Sequence, residues 1–291
     1  MKQIDSARYK IDSPISLGDL PTHPRLKLSE SKIEQSLHHT RRTLSELQEV
    51  VYAQGRFSVL IILQGMDTSG KDSLIREVFK DFNARGVAVH SFKKPTEAEH
   101  KQDYLWRHYI ALPQRGKFGI FNRSHYENVL VSRVHPEIIL EENLPGITSI
   151  SDITDDFWQT RLRQIVEFEK HLSENGTIIL KFFLHLSKKE QAERLLRRID
   201  KAKHNWKFSP GDLTERERWN DYQRYYQEAI NSTSTATAPW YVIPADDKDS
   251  ARLITAHIIL DQLQKYPISE PALDPEIQEQ LACYRRILEN E

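Results

Sequence analysis

A lysine and two aspartates stand in the run Gly65-Met66-Asp67-Thr68-Ser69-Gly70-Lys71-Asp72, whose glycine and lysine spacing, G-x-x-x-x-G-K, is that of a phosphate-binding loop. In such a loop the glycines let backbone N–H groups close around phosphate oxygens, and the lysine reaches a transferring phosphate. Gly65, Thr68, Ser69, Gly70, Lys71 and Ser73 are therefore the phosphate-binding candidates. A Ser or Thr normally follows the lysine to hold magnesium; here Asp72 follows it, and Asp67 lies inside the loop. Two carboxylates beside phosphate repel it unless a metal intervenes. Asp67 and Asp72 are thus candidate magnesium ligands, or groups that position a second phosphorylated substrate. Asp72 has an alternative role as an acidic residue in a helix's first turn, favoured by the macrodipole.

Further along, Phe118–Phe121 reads as a short strand, and Asn122 stands at its end, where phosphate-loop proteins commonly carry a metal-associated aspartate. Glu127 is the nearest substitute carboxylate for the metal, but it also occupies the capping-box position of a helix begun by Ser124. Arg123 and Arg133 suit bidentate clamping of phosphoryl oxygens, with surface ion pairing to Glu127 or its neighbours as the alternative. The pair Lys93-Lys94 follows the strand Val87–Phe92, at the end where an open α/β sheet binds its ligand; solvated loop lysines are the competing reading. Arg194, Arg197, Arg198 and Lys201 share one helix face, opposite Ala192, Leu195, Leu196 and Ile199. With Lys203, Trp206 and Lys207 following, this face is read as a mobile basic lid over phosphates rather than as a merely solvated surface.

The elements that must position these residues alternate between strand and helix. Phe57–Leu63 is an apolar run suited to a strand buried on both faces, and Leu74, Ile75, Val78, Phe79 and Phe82 recur at helical spacing behind the loop. The phosphate would then sit on a helix N-terminus. Ser31 and Glu34 suggest a capping box ahead of a helix carrying Ile33, Leu37, Leu44, Leu47 and Val51, which ends near Gly55. Tyr104, Leu105, Trp106 and Tyr109 are read as packing residues, and 135–155 as an acidic insertion bordering the site. Phe157–Leu172 predicts a long helix, Thr177–Leu186 a strand, Leu213–Ile230 an aromatic-rich helix, Trp240–Ile243 the last strand and Ala251–Leu263 a core helix. The organisation expected is one domain over 1–291, with an arm and helix at 1–55, a lid at 187–215 and a helical tail at 267–291. The tail is expected to dock on the domain or on a partner subunit, and a homo-oligomer is the expected assembly.

At 291 residues with a formal net charge of -1 and a pI of about 6.9, the chain presents no global field for nucleic acid or an acidic membrane. Neither is expected as a partner. The single cysteine, Cys283, excludes a disulfide framework and is assigned to helix packing in a reducing compartment. His38 and His39, adjacent on a helix, cannot face one metal and are read as solvated. No apolar signal core opens the sequence and the longest aliphatic run, Val59–Leu63, cannot span a bilayer, so a cytoplasmic protein is expected.

Four blocks, LQGMDTSGKDSLIREVF, VHSFKKPT, FNRSHYENVLVSRVHPEI and KHNWKFSPGDLTERERW, together resemble the polyphosphate kinase 2 family over about residues 8–265. The resemblance implies a P-loop kinase-like three-layer α/β/α sandwich with a parallel sheet and a helical lid. It also implies cytoplasmic, magnesium-dependent transfer between inorganic polyphosphate and AMP or ADP, reversible with ATP. Lys71 looks like the loop lysine of that family, Arg123 like the arginine after its second motif, and Asp67 like the carboxylate that binds magnesium and orients the acceptor. Asp72 and Glu127 look like further metal-associated carboxylates, and Arg198 like a polyphosphate contact. Where many members begin the second motif FDRS, this chain has FNRS, which is similar to a single-domain branch accepting both mono- and diphosphates. An ATP-dependent small-molecule kinase and a nucleotide-binding protein without turnover are the alternatives.

Overall fold

Seven consecutive buried residues, Ser58–Gln64, form β1, the centre of the sheet. A strand buried over its whole length needs cover on both faces, and here the cover is helical. The computed structural model describes residues 4–290, and its five strands pair in parallel in the order β2-β3-β1-β4-β5. The other strands are β2 (Val87–Ser91), β3 (Phe118–Asn122), β4 (Thr177–His185) and β5 (Trp240–Pro244). In the first half of the chain the helices are α1 (Glu30–Gln54), α2 (Lys71–Val78), α3 (Glu97–His100), α4 (Trp106–Tyr109), α5 (Val131–Val134) and α6 (Glu137–Leu140). In the second half they are α7 (Asp155–Glu174), α8 (Lys188–Asp200), α9 (Gly211–Glu217), α10 (Trp219–Thr233), α11 (Lys248–Leu263) and α12 (Pro275–Glu289).

Alternation along β1 divides the interior into two cores. Val59, Ile61 and Leu63 face α1, α2 and α11, while Leu60 and Ile62 face α7 and α10. Each fully buried aliphatic side chain contributes roughly 1.5–3 kcal/mol. The result is the expected three-layer α/β/α sandwich. The register aligns Leu63 with Asn122 on one side and with Phe182 on the other, so the carboxyl ends of β1, β3 and β4 open on the same edge.

Several local expectations need correction. The first helix is capped at Ser29 without a side-chain hydrogen bond, so Ser31 and Glu34 form no capping box there. The helix behind the loop stops at Val78; Phe79 and Phe82 instead stack edge-on with each other, and Phe82 with Phe118. Thr96 and Glu99 form a capping box, but the helix they open ends at His100 and a new one begins at Trp106, where Trp106 and Tyr109 are exposed rather than packed. The aromatic-rich helix is two helices, divided at Arg218. Along α8 the supposed apolar face is half open: Leu195 is buried, whereas Leu196 and Ile199 are exposed. His38 and His39 are exposed as expected. The tail helix α12 has no buried residue, so it does not dock on the domain, and Cys283 on it is exposed rather than packed.

Candidate active site

The loop between β1 and α2 is held by backbone conformations that suit glycine at two positions. Gly65 has φ 149° and a Cβ there would approach Leu184 O and Ser69 Oγ to 2.9 Å each; Gly70, with φ 108°, precedes the first residue of α2. Thr68, at φ 64°, accepts the same left-handed backbone without being glycine. Lys71 folds back over the loop, its Nζ donating to Gly65 O at 2.6 Å and Met66 O at 3.3 Å. Burial, then the nearby Arg123, lower its pKa from 10.5 to about 8. Ser73 donates from Oγ to Gly70 O at 2.9 Å, closing the first turn of the helix.

Across the strand ends, Arg123 follows β3 with φ 64° and reaches back to the loop. It donates to Asp67 Oδ1 at 2.8 Å and lies 3.6 Å from Glu127 Oε2. Glu127, then Asp67, hold the guanidinium firmly protonated, although burial opposes it. Burial in turn raises the Glu127 carboxyl, with Arg123 opposing the rise. Ser124 caps the following 3-10 turn by accepting from Tyr126 N–H, and Glu127 forms no capping box with it. Asp72 accepts a 2.6 Å hydrogen bond from Asn122 Nδ2. The amide therefore orients one carboxylate where an aspartate would have repelled it.

These groups open into a cleft of ≈ 650 Å³ lined, among the described residues, by six lysines and five arginines, with Asp67 and Asp72 as the carboxylates. Lys93, Lys94, Arg197, Arg198, Lys201 and Lys207 all contribute, and Arg198 also donates to Lys207 O and Asp212 at 3.1 Å each. Glu141 of the acidic insertion pairs with Lys94 at 2.9 Å, so the insertion borders the site. On the other side of the Asp67–Arg123 pair, a smaller recess is bounded by Glu127, Glu215, Tyr222 and Tyr226.

Arg133 is not part of this arrangement. Its side chain, 9 % exposed, lies 2.6 Å from Glu228 and stacks against Trp158 and Tyr225, so its charge is already taken up by packing partners. Arg194, expected on an open basic face, is 4 % exposed and clamps the loop from behind, donating to Thr68 O, Ser69 O, Ala245 O and Asp246 O. Two of the cleft's lysines and arginines escaped the sequence reading. Arg76 stands one turn beyond Asp72 on α2, and Lys248 follows the acidic turn after β5; its position just beyond a strand's carboxyl end was the available signal. Partial burial, then Arg194 and Arg197, lower Lys248 to about 8.

Among the described residues no group of three or more His, Cys, Asp or Glu side chains gathers as a metal-holding set. Asp67 and Asp72 nonetheless supply hard oxygen donors at the phosphate cleft, which suits a cation bound by one or two carboxylates together with phosphate oxygens and water.

The sequence matches the polyphosphate kinase 2 (PPK2) family over residues 27–271. This chain belongs to that family. Among its relatives, the ADP-polyphosphate phosphotransferase of Rhodopseudomonas palustris is 44% identical over 278 residues, covering 94% of each chain. The AMP/ADP-polyphosphate phosphotransferase of Meiothermus ruber is 46% identical over 242 residues, 82% of this chain and 85% of the relative. Polyphosphate Kinase 2 from Arthrobacter aurescens superposes with a TM-score of 0.88 at 33% identity, over 98% of this chain and all of that one. As a PPK2 member the chain is a phosphotransferase, and its family implies a divalent metal. No helix among the described residues is long and apolar enough to cross a membrane.

Proposed function

We propose that this PPK2 protein transfers phosphoryl groups from inorganic polyphosphate to ADP and AMP, and returns them from ATP. The observation that carries this reading is the cleft itself. Even with Arg194 committed to the loop carbonyls, six lysines and four further arginines line it, far more cationic surface than one nucleoside triphosphate requires. An acceptor phosphate oxygen is already ionised at neutral pH, so the protein must supply position and charge rather than a strong base.

In this account the donor chain lies along Lys93, Arg198 and their neighbours, with its end on the amides of Gly65–Gly70. Lys71 turns from the loop carbonyls onto the transferring phosphate, and Gly65, Thr68, Ser69, Gly70 and Ser73 shape the cradle around it. Arg123 leaves Asp67 to take up charge on the equatorial oxygens. Asp67 with Asp72 or Glu127 would hold magnesium, which would supply charge neutralisation at the phosphates. Segment 187–215 acts as the lid, and the whole chain as one domain. Nucleic acid and membranes are not partners, which a net charge of -1 supports, and the protein works in the cytoplasm. The exposed stripe Ile277, Leu281, Tyr284 and Leu288 on α12 supports a homo-oligomer.

Purified protein with magnesium, long-chain polyphosphate and ADP is expected to form ATP, and to do so from AMP as well. ATP consumption with some other small acceptor, and no product from polyphosphate, would remove the reading.

A further inference from the structure

Behind β3, on the face away from α1 and α2, a polar cluster is sealed inside the core formed with α7 and α10. Lys181 interrupts the apolar run of β4 and is fully buried, as are His125, Tyr126 and Thr233; Glu169 of α7 is 1 % exposed. Lys181 Nζ donates to Glu169 Oε2 at 2.5 Å, to the Tyr126 hydroxyl at 2.9 Å and to Thr233 O at 2.8 Å. The Tyr126 hydroxyl lies 2.9 Å from Glu169 Oε1 and 2.8 Å from Thr233 Oγ1, which also accepts from Trp240 Nε1. His125 Nε2 is 3.2 Å from Glu169 Oε1. None of these five side chains reaches the cleft.

A buried ion pair is a poor source of stability, since well-packed apolar residues in its place are often neutral or better. Its distinctive property is geometric: charge-assisted bonds allow only one arrangement of the groups they join. The groups joined here are the two residues that follow Ser124. Just ahead of them Arg123 has φ 64°, a backbone that a non-glycine residue keeps only where its surroundings over-determine it. Upstream, Arg123 N–H donates to Leu63 O, and Ser124 Oγ accepts from Gln64 Nε2, which ties the bend to β1. Downstream, the hold comes from His125 and Tyr126.

We propose that the buried Glu169–Lys181 pair, acting through His125 and Tyr126, is a positioning device that holds the left-handed bend at Arg123 and so aims Arg123 and Glu127 at the phosphate loop. Its kinetic consequence rests on the phosphotransfer reading; the bend itself does not. The test is the double variant Glu169→Leu/Lys181→Met, studied by crystallography and by kinetics alongside wild type. The expected variant is folded, its Arg123 has left the left-handed region, and kcat falls by at least about 30-fold while KM for polyphosphate changes by less than about threefold. Arg123 retained in the left-handed region overturns the proposal whatever the rate. If the double variant does not fold, Tyr126→Phe removes the hydroxyl on which Glu169, Lys181 and Thr233 converge. It should lower kcat by about three- to tenfold at unchanged KM, and an unchanged kcat overturns the proposal. An inactive wild-type protein would count against the reaction alone, with the crystallographic outcome still deciding the device.

Discussion

Raising the pH should disable substrate capture before it disables the bound complex. Lys71 is 8 % exposed and packed on its own loop carbonyls, and burial lowers its pKa from 10.5 to about 8. That gap corresponds to about 3 kcal/mol of disfavoured charge. In the free protein the lysine is about nine-tenths protonated at pH 7 and about one-tenth at pH 9. A phosphate at about 4 Å returns roughly 4 kcal/mol at an effective dielectric of 20, enough to restore the charge beyond about pH 10. The expected profile of kcat/KM for polyphosphate therefore halves near pH 8 and falls about tenfold by pH 9, while kcat stays level over that range. Lys71→Arg should abolish the alkaline limb at a reduced overall rate. Lys248 also titrates at about 8, but solvent reaches it, so the sealed Lys71 carries the prediction. A flat kcat/KM profile, or a limb that survives Lys71→Arg, would refute the argument. Stability follows the same titration. The folded value lies below the unfolded one, so the folded state holds fewer protons between about pH 8 and 10.5. Resistance to unfolding should rise with pH across that window, by at most about 3 kcal/mol for this group.

Asp67→Asn should lower turnover at least about 100-fold with little change in thermal midpoint, because Asp67 is one-third exposed and its one strong partner is Arg123; near-normal turnover would refute its assignment. Asn122→Asp sets a second carboxylate 2.6 Å from Asp72, and urea unfolding at pH 7 should show a loss of about 1–3 kcal/mol that shrinks as the pH is lowered. Arg198→Ala should raise KM for polyphosphate about fivefold or more while leaving KM for ADP within about twofold, as steady-state kinetics would show; the reverse order would count against a donor-chain contact.

The loop and sheet were legible because chemistry and periodicity agreed there: one glycine-bounded motif, one apolar strand before it and one helix after it. Asp67 and Arg123 could be named separately, yet their 2.8 Å pairing depends on the bend at Arg123, which no spacing announces. Arg133 and Arg194 were misplaced for one reason. A helical wheel gives a residue's side but not what packs against it, and here Trp158 and Tyr225 cover one arginine while the loop covers the other. Lys181 offered a signal that was passed over, a lone cation within a buried strand. Glu169, its partner on α7, lay hidden among surface glutamates until the two elements were brought together.

The central claim is that polyphosphate, not ATP, charges the cleft. Phosphorus NMR of wild-type protein with magnesium, ADP and a short polyphosphate of defined length reads donor and product together. One phosphate lost from the chain for each ATP formed is the predicted result. ATP-free spectra with an intact polyphosphate chain would contradict it.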